Sequence, residues 1–364
     1  MSNFVLMHQS IVDCDAIGQD IAQICLLLSE RNTPHLHCDY LLGLERFRRL
    51  DRDGLALLIR DPETVIIYHH SNYWAEGERI LRNAHCRIVF RYHNITPPHF
   101  FRDFPDYQRC CIMGREQTYR FAHLFPDSLW MSDSHFNLTE MGLEGCSPSA
   151  VVPPFPDGAG STAEKPSQDT LRFLMEDDRL NVFFIGRFVP NKGHLLLARV
   201  LVAYREHFGP KVRLSVFGKL DPHFQSYFDA FMAEILRGGT QEMLNWAGCI
   251  SNDERMAYYL GADAYICCSE HEGFCVPLVE AQAVGLPVVA RATSGVSETI
   301  GAGQPLLGDD PVEYAYLLNR IATDKVFRNT LTDRGYRNVS RRFQYRVVRE
   351  LFLTALQHYL GRDL

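Results

Sequence analysis

Two glutamates eight residues apart, Glu272 and Glu280, stand in CCSEHEGFCVPLVEAQAVGLPVV, Cys267 to Val289, where an apolar run, a tight loop and a helix start follow one another. On one continuous helix this spacing would turn the two carboxylates roughly 80° apart, but the break at Glu272-Gly273-Phe274 lets both face the same cleft. Pro277 suits the first helical position, so Leu278, Val279 and Glu280 fall in the opening turn. Free amides at that turn add donors and a partial positive charge, which suits a diphosphate. The plain alternative is a buried strand and an amphipathic helix with two solvated glutamates. Glu272 argues against it, because it lies beside Gly273 in a loop and not on a polar helix face.

A second constellation lies in NVFFIGRFVPNKGHLLLARV, Asn181 to Val200. Its strand ends at Gly186, Arg187 and Lys192 lie in the turn, and Gly193 opens a helix near His194. Cations at the C-terminal edge of a strand in a doubly wound sheet stand where such folds bind ligands; two surface cations flanking a loop are the alternative. Gly218 and Lys219 follow another strand on the same rim. Asn245 to Ile266 reads as a short strand, a turn at Ser251-Asn252 and a helix from Asp253. Earlier in the chain, His93 in RYHNITPPHFF directly follows a strand and precedes a proline-stiffened loop, a position that favours function over a structural role. Asp13-Cys14-Asp15 matches a D-x-D metal motif, but that match is common by chance, and Arg187 with Lys192 supplies the charge a metal would bring.

The pattern E-G-F-x-x-P-x-x-E-A followed by G-x-P-V-V-A, with the Arg187/Lys192 turn, resembles the family 4 (GT4) retaining glycosyltransferases. Their fold is GT-B: α/β, two doubly wound Rossmann-like domains facing a central cleft. The resemblance covers nearly the whole chain and is densest from Asn181 to Thr299. It implies that Arg187 and Lys192 hold a donor diphosphate and that Glu280 bonds the ribose hydroxyls. Glu272 would contact a hydroxyl of the transferred sugar, while the amides of Gly273, Phe274, Cys275 and Val276 meet sugar or phosphate. The backbone of Cys249, Ile250 and Ser251 would border the nucleobase, and His93 would line the reaction cleft. Cys275 departs from the pattern, since many relatives have glycine there, and a side chain at that place narrows the sugar pocket. The family's Gly-Gly-x-Gly loop corresponds to Ala16, Ile17 and Gly18, of which only Gly18 matches cleanly. Ser134 and Asn137 are expected to cap a helix, and Arg115 to face the acceptor.

These parts are carried by 364 residues, more than one compact domain usually holds. Apolar runs alternate with helical patterns throughout, the signature of parallel strands covered by helices on both faces. The Pro/Gly/Ser-rich stretch Pro153 to Ser167 marks a domain boundary, and the resemblance implies an acceptor-binding domain, 1–155, before it and a nucleotide-sugar-binding domain, 156–340, after it. The final segment, from Asp333, reads as helical with Phe343, Val347, Leu351, Leu356 and Tyr359 as apolar positions, and the resemblance implies that 341–364 packs back on the first domain. Net charge is −7, and the first 155 residues hold 14 arginines and no lysine against 19 acidic residues. This excludes a nucleic-acid binder. No apolar run approaches the roughly 20 residues a membrane span needs, and the start MSNFVLMHQSIVDCD reads as a first strand and not a leader, so the protein is expected in the cytoplasm. Leu41 to Arg52, with four arginines, reads either as an amphipathic helix resting on the inner face of the plasma membrane or as a solvated surface helix. Eleven scattered cysteines without C-x-x-C read as reduced thiols, and their spacing gives no support for zinc.

The expected activity is metal-independent retaining transfer of a hexose from a UDP- or GDP-linked sugar to a glycan or lipid-linked saccharide, with no cofactor. A phosphorylase or nucleotide-sugar epimerase on the same fold, or a non-catalytic sugar-nucleotide-binding subunit, would share Arg187 and Lys192. A dehydrogenase would not fit, since no G-x-G-x-x-G follows the first strand.

Overall fold

The computed structural model describes residues 2–13, 15–145, 148–156 and 165–363. The chain divides into two compact units, Met1–Gly158 with Phe343–Leu364, and Ala159–Arg342. The linker residues 157–164 and the central cysteine of the D-x-D match, Cys14, lie outside the described residues.

Unit 1 holds β1 (Asn3–Met7), β2 (Ser10–Val12), β3 (Thr33–His37), β4 (Tyr40–Leu42), β5 (Val65–His70), β6 (Arg87–Tyr92), β7 (Leu129–Ser132) and β8 (Ser149–Val151). Six of them form a parallel sheet in the order β3-β1-β5-β6-β7-β8, and β2 pairs with β4 in a separate ribbon. Strand β5 shows why its sequence is apolar throughout: Val65 and Ile67 enter one core, Ile66 and Tyr68 the other. Parallel strands covered on both faces bury both sets of side chains. The first core is closed by the helix Ala16–Leu28, capped by Asp15, and by the C-terminal helix Tyr345–Leu360.

Unit 2 holds β9 (Leu180–Ile185), β10 (Val212–Phe217), β11 (Leu244–Gly248), β12 (Ala264–Cys267), β13 (Val288–Arg291) and β14 (Leu306–Leu307). Their parallel order is β11-β10-β9-β12-β13-β14. Chain direction reverses across the sheet between β9 and β12, so the crevice outside the C-terminal ends of those two strands is the switch point where open α/β sheets take ligands. In unit 1 the corresponding reversal lies between β1 and β5.

Two expectations are corrected. Leu41–Arg52 is not a helix. Gly43 turns the chain at φ +81°, the Leu36 amide bonds the Arg48 carbonyl at 2.9 Å, and the Leu50 amide bonds the Leu36 carbonyl at 2.8 Å, so the segment is stitched along β3. The Arg49 guanidinium is spent on the Cys38 and Asp39 carbonyls, and a helix begins only at Arg52, capped by Asp51. With it goes the amphipathic surface on which membrane contact rested. The C-terminal helix, read as continuous from Asp333, is broken between Arg342 and Tyr345, and its buried face is Val348, Phe352, Leu356 and Leu360, not Val347 and Leu351.

This register is testable by equilibrium unfolding. Phe352 is fully buried and Leu351 is 42% exposed, so Phe352→Ala should cost about 3–5 kcal/mol and Leu351→Ala within about 0.5. Equal losses would contradict the assigned face.

Candidate functional site

The loops that leave β9 and β12 meet over the unit 2 switch point. After β9 the chain turns through Pro190–Lys192 to Gly193, whose φ of +70° and tight packing both demand glycine: a Cβ there would lie 1.9 Å from the Cys268 carbonyl oxygen. Asn191 then ties the two loops together. Its carbonyl accepts from the Glu270 amide at 2.8 Å, and its side-chain amide donates to the His271 carbonyl at 3.1 Å.

This closeness brings Lys192 and Glu272 together. Lys192 Nζ lies 2.6 Å from Glu272 Oε1, which also accepts from Ser269 Oγ at 2.7 Å. Both side chains are largely shielded, at 19% and 11% exposure. Burial alone would lower the Lys192 pKa, but the Glu272 carboxylate outweighs it and holds the ammonium above the ordinary lysine value. The lysine is therefore a fixed cation. Arg187 is exposed, and its charge works against that of Lys192, which marks the two as neighbours. The backbone of Glu272 is pinned as well, its amide donating to Ser294 Oγ at 2.9 Å and its carbonyl accepting from Gly295 at 3.0 Å.

Past Gly273 and the buried Phe274, Cys275 caps the helix Val276–Ala283 in the left-handed region at φ +76°, so that helix starts one residue before Pro277. Glu280, one turn on, accepts from Arg255 at 3.1 Å and from the Tyr259 hydroxyl at 2.5 Å. Burial, then the Glu280 charge, keeps that phenol protonated far above its usual range. Glu272 and Glu280 are thus each paired with a cation. Cys249, Ile250 and Ser251 form the turn after β11, where Ser251 enters a capping box with Glu254. Gly218 donates to the Gly248 carbonyl at 2.8 Å, and the Lys219 carbonyl accepts from Phe188 at 3.1 Å while its side chain is exposed.

Unit 1 treats its predicted residues differently. Ala16, Ile17 and Gly18 form the first turn of a helix and not a loop. The Gly18 amide is taken by Asp15 Oδ1 at 2.7 Å, and a Cβ on Gly18 would lie 1.8 Å from the Val12 carbonyl oxygen. The His93 side chain is 4% exposed, with Nδ1 3.0 Å from Asp133 Oδ2 and Nε2 2.9 Å from His69 Nδ1, so both ring nitrogens have partners within the unit. Beside it the buried Arg91 holds Asp20 at 2.9 Å and the Pro153 carbonyl at 2.9 Å. Asp20 Oδ1 also accepts from the Phe155 amide at 2.8 Å. Arg115 bonds the Ile95 carbonyl at 2.8 Å, and Ser134 caps its helix by accepting from Asn137. Sequence reasoning missed Asp20, Asp133, Arg255, Tyr259 and Asn191, and it assigned His69 no chemistry. Only Asn191, between Pro190 and Lys192 in a recognised turn, carried a local signal.

Two doubly wound parallel sheets, the second with a cation and a carboxylate paired at its switch point, make this a GT-B protein. The Anabaena protein Alr3699/HepE, solved with UDP-glucose, superposes with a TM-score of 0.76 at 17% identity, over 98% of this chain and 100% of that one. Sucrose-phosphate synthase from Thermosynechococcus elongatus gives 0.72 at 14% identity, over 99% and 100%. Residues 172–338 match the family described as Glycosyl transferases group 1. Lipopolysaccharide 1,2-N-acetylglucosaminetransferase of Salmonella typhimurium is 26% identical over 84% of this chain and 77% of its own length. D-inositol 3-phosphate glycosyltransferase of Thermobifida fusca is 27% identical over 54% of this chain. The chain spans about half the length of several curated relatives, 43% of an uncharacterised Methanocaldococcus jannaschii glycosyltransferase and 47% of the Thermobifida protein.

The buried histidines of unit 1 set its acid stability. Burial lowers His8 to about 4 and His70 to about 3, and drives His69 well down. Above the ordinary value of 6.5 both the folded and unfolded states are neutral at these rings; below it the unfolded chain takes up protons that the native rings refuse. Stability should therefore fall as pH drops from 6.5 towards 4, seen as a lower melting temperature at pH 5 than at pH 7. His70→Gln should reduce that slope; a melting temperature that rises towards pH 5 would contradict the neutral, buried assignment.

Proposed function

We propose that this glycosyltransferase moves a hexose from a nucleotide-diphosphate sugar, UDP- or GDP-linked, to a glycan or lipid-linked saccharide with retention of anomeric configuration and without a metal. The observation that carries the reading is the Lys192–Glu272 pair at the unit 2 switch point, 2.6 Å long and largely shielded. A shielded ammonium beside an exposed guanidinium suits a diphosphate, and the carboxylate between the two loops suits a sugar hydroxyl. The UDP-glucose bound to the Anabaena protein of the same fold supports a nucleotide-sugar donor.

In this mechanism the diphosphate draws Lys192 and Arg187 onto its oxygens, and Glu272, released from part of its ion pair, accepts from the transferred sugar. Glu280, oriented by Arg255 and Tyr259, takes the ribose hydroxyls. Cleavage of the sugar–phosphate bond leaves charge on the departing diphosphate, which the two cations stabilise. No carboxylate is assigned as a covalent nucleophile. The leaving phosphate accepts the acceptor's proton while the acceptor oxygen enters on the same face through an oxocarbenium-like state.

Thermal shift with UDP, GDP, ADP and their sugars identifies the donor, since a ligand of the folded state raises stability by mass action. Lys192→Ala should mainly slow transfer, by about 10- to 100-fold for a lost charge-assisted hydrogen bond. Glu280→Ala should chiefly weaken donor binding. Equal, small effects of both would contradict the site, and an inverted anomeric centre in the product by NMR would contradict retention.

A further inference from the structure

Cys267 ends β12 and Cys275 caps the next helix, and the loop between them returns so tightly that their Sγ atoms lie 3.8 Å apart, both buried. The Glu272 carboxylate completes a cluster in which one ligand atom of each of the three residues lies within 4.8 Å of the others. Zinc binds thiolate at about 2.3 Å in tetrahedral geometry, and the edge between two such sulfurs is then about 3.8 Å. The sulfurs thus already stand at the spacing of a zinc-bound pair. Glu272 Oε1 also carries Lys192 and Ser269. Cys275 reaches this position only by adopting φ +76°, a conformation that costs a non-glycine residue about 1–2 kcal/mol.

We propose that Cys267, Cys275 and Glu272 form a binding site for a thiophilic divalent cation of the zinc class, and that its occupancy inhibits the protein by withdrawing Glu272 from the donor. The inhibitory half rests on the donor-site reading above; the binding half does not. Two protons leave the thiols as the metal enters. Two thiolates, one carboxylate, the dication and the Lys192 ammonium then sum to zero charge, so Lys192 is a counter-ion and not an obstacle. The other compact group of metal-ligating side chains among the described residues, Asp20, His69 and His93, lacks this feature. There the fully buried Arg91 already holds Asp20 at 2.9 Å and would oppose a cation.

Cobalt(II) titrated into the fully reduced chain reports the site directly. Expected is one equivalent that gives a thiolate-to-cobalt charge-transfer band with the visible absorption of tetrahedral cobalt, both erased by zinc. Cys275→Gly, whose backbone suits φ +76°, should stay folded and lose the band, with metal affinity down by more than about ten-fold. Glu272→Gln should keep the charge-transfer band and bind more weakly. A reduced wild type without the band, or a Cys275→Gly protein that retains it, overturns the site. If cobalt binds as described and zinc leaves nucleotide-sugar binding unchanged, the site stands and its inhibitory role is overturned.

Discussion

The salt bridge between Lys192 and Glu272 depends on nearly everything else in unit 2. The two residues are 80 positions apart in sequence, and they meet because β9 and β12 are neighbours in a parallel sheet whose direction of winding changes between them. Gly193 allows the first loop to press against Cys268, Asn191 stitches the loops, Ser269 bonds the Glu272 carboxylate and Ser294 holds the Glu272 backbone amide. Each of these contacts lowers the freedom of a pair that would be worth little if exposed. Shielded, it becomes a preorganised cation and acceptor whose partners a charged ligand can exchange.

Unit 1 is organised around a buried charge of its own. Arg91 is fully buried, and a guanidinium in that state is tolerated only when its donors are satisfied. Asp20, Asp133 and the Pro153 carbonyl do this, and Asp20 in turn holds the Phe155 amide, fixing the chain as it leaves the last strand. His93 stacks on His69 with ring centroids 5.1 Å apart and hydrogen-bonds Asp133 beside that ion pair. Its orientation is therefore set from within the unit.

The strands were legible because apolar runs buried on both faces leave a clear mark: Arg87–Tyr92 and Leu129–Ser132 have the bounds their sequences suggest. The loops after β9 and β12 were legible too, since Gly, Pro and charged residues fall at strand ends. Leu41–Arg52 misled because helical periodicity in a short arginine-rich run competes with backbone pairing to β3, which no local pattern records. The pairings of Asp20 with Arg91 and of Glu280 with Arg255 were invisible for the same reason. They join residues 71 and 25 positions apart through the tertiary fold alone. Cys275 showed itself as a departure from pattern, but its closeness to Cys267 required the backbone.

The claim that Glu272 grips a donor sugar while Lys192 serves the diphosphate separates by calorimetry. Nucleoside diphosphate and its sugar-bearing form would be titrated into the wild type and Glu272→Gln. The account predicts that the variant keeps its affinity for the nucleoside diphosphate within a few-fold but loses about ten-fold or more, some 1.4 kcal/mol, for the nucleotide sugar. Equal affinity of wild type and variant for the nucleotide sugar would contradict it.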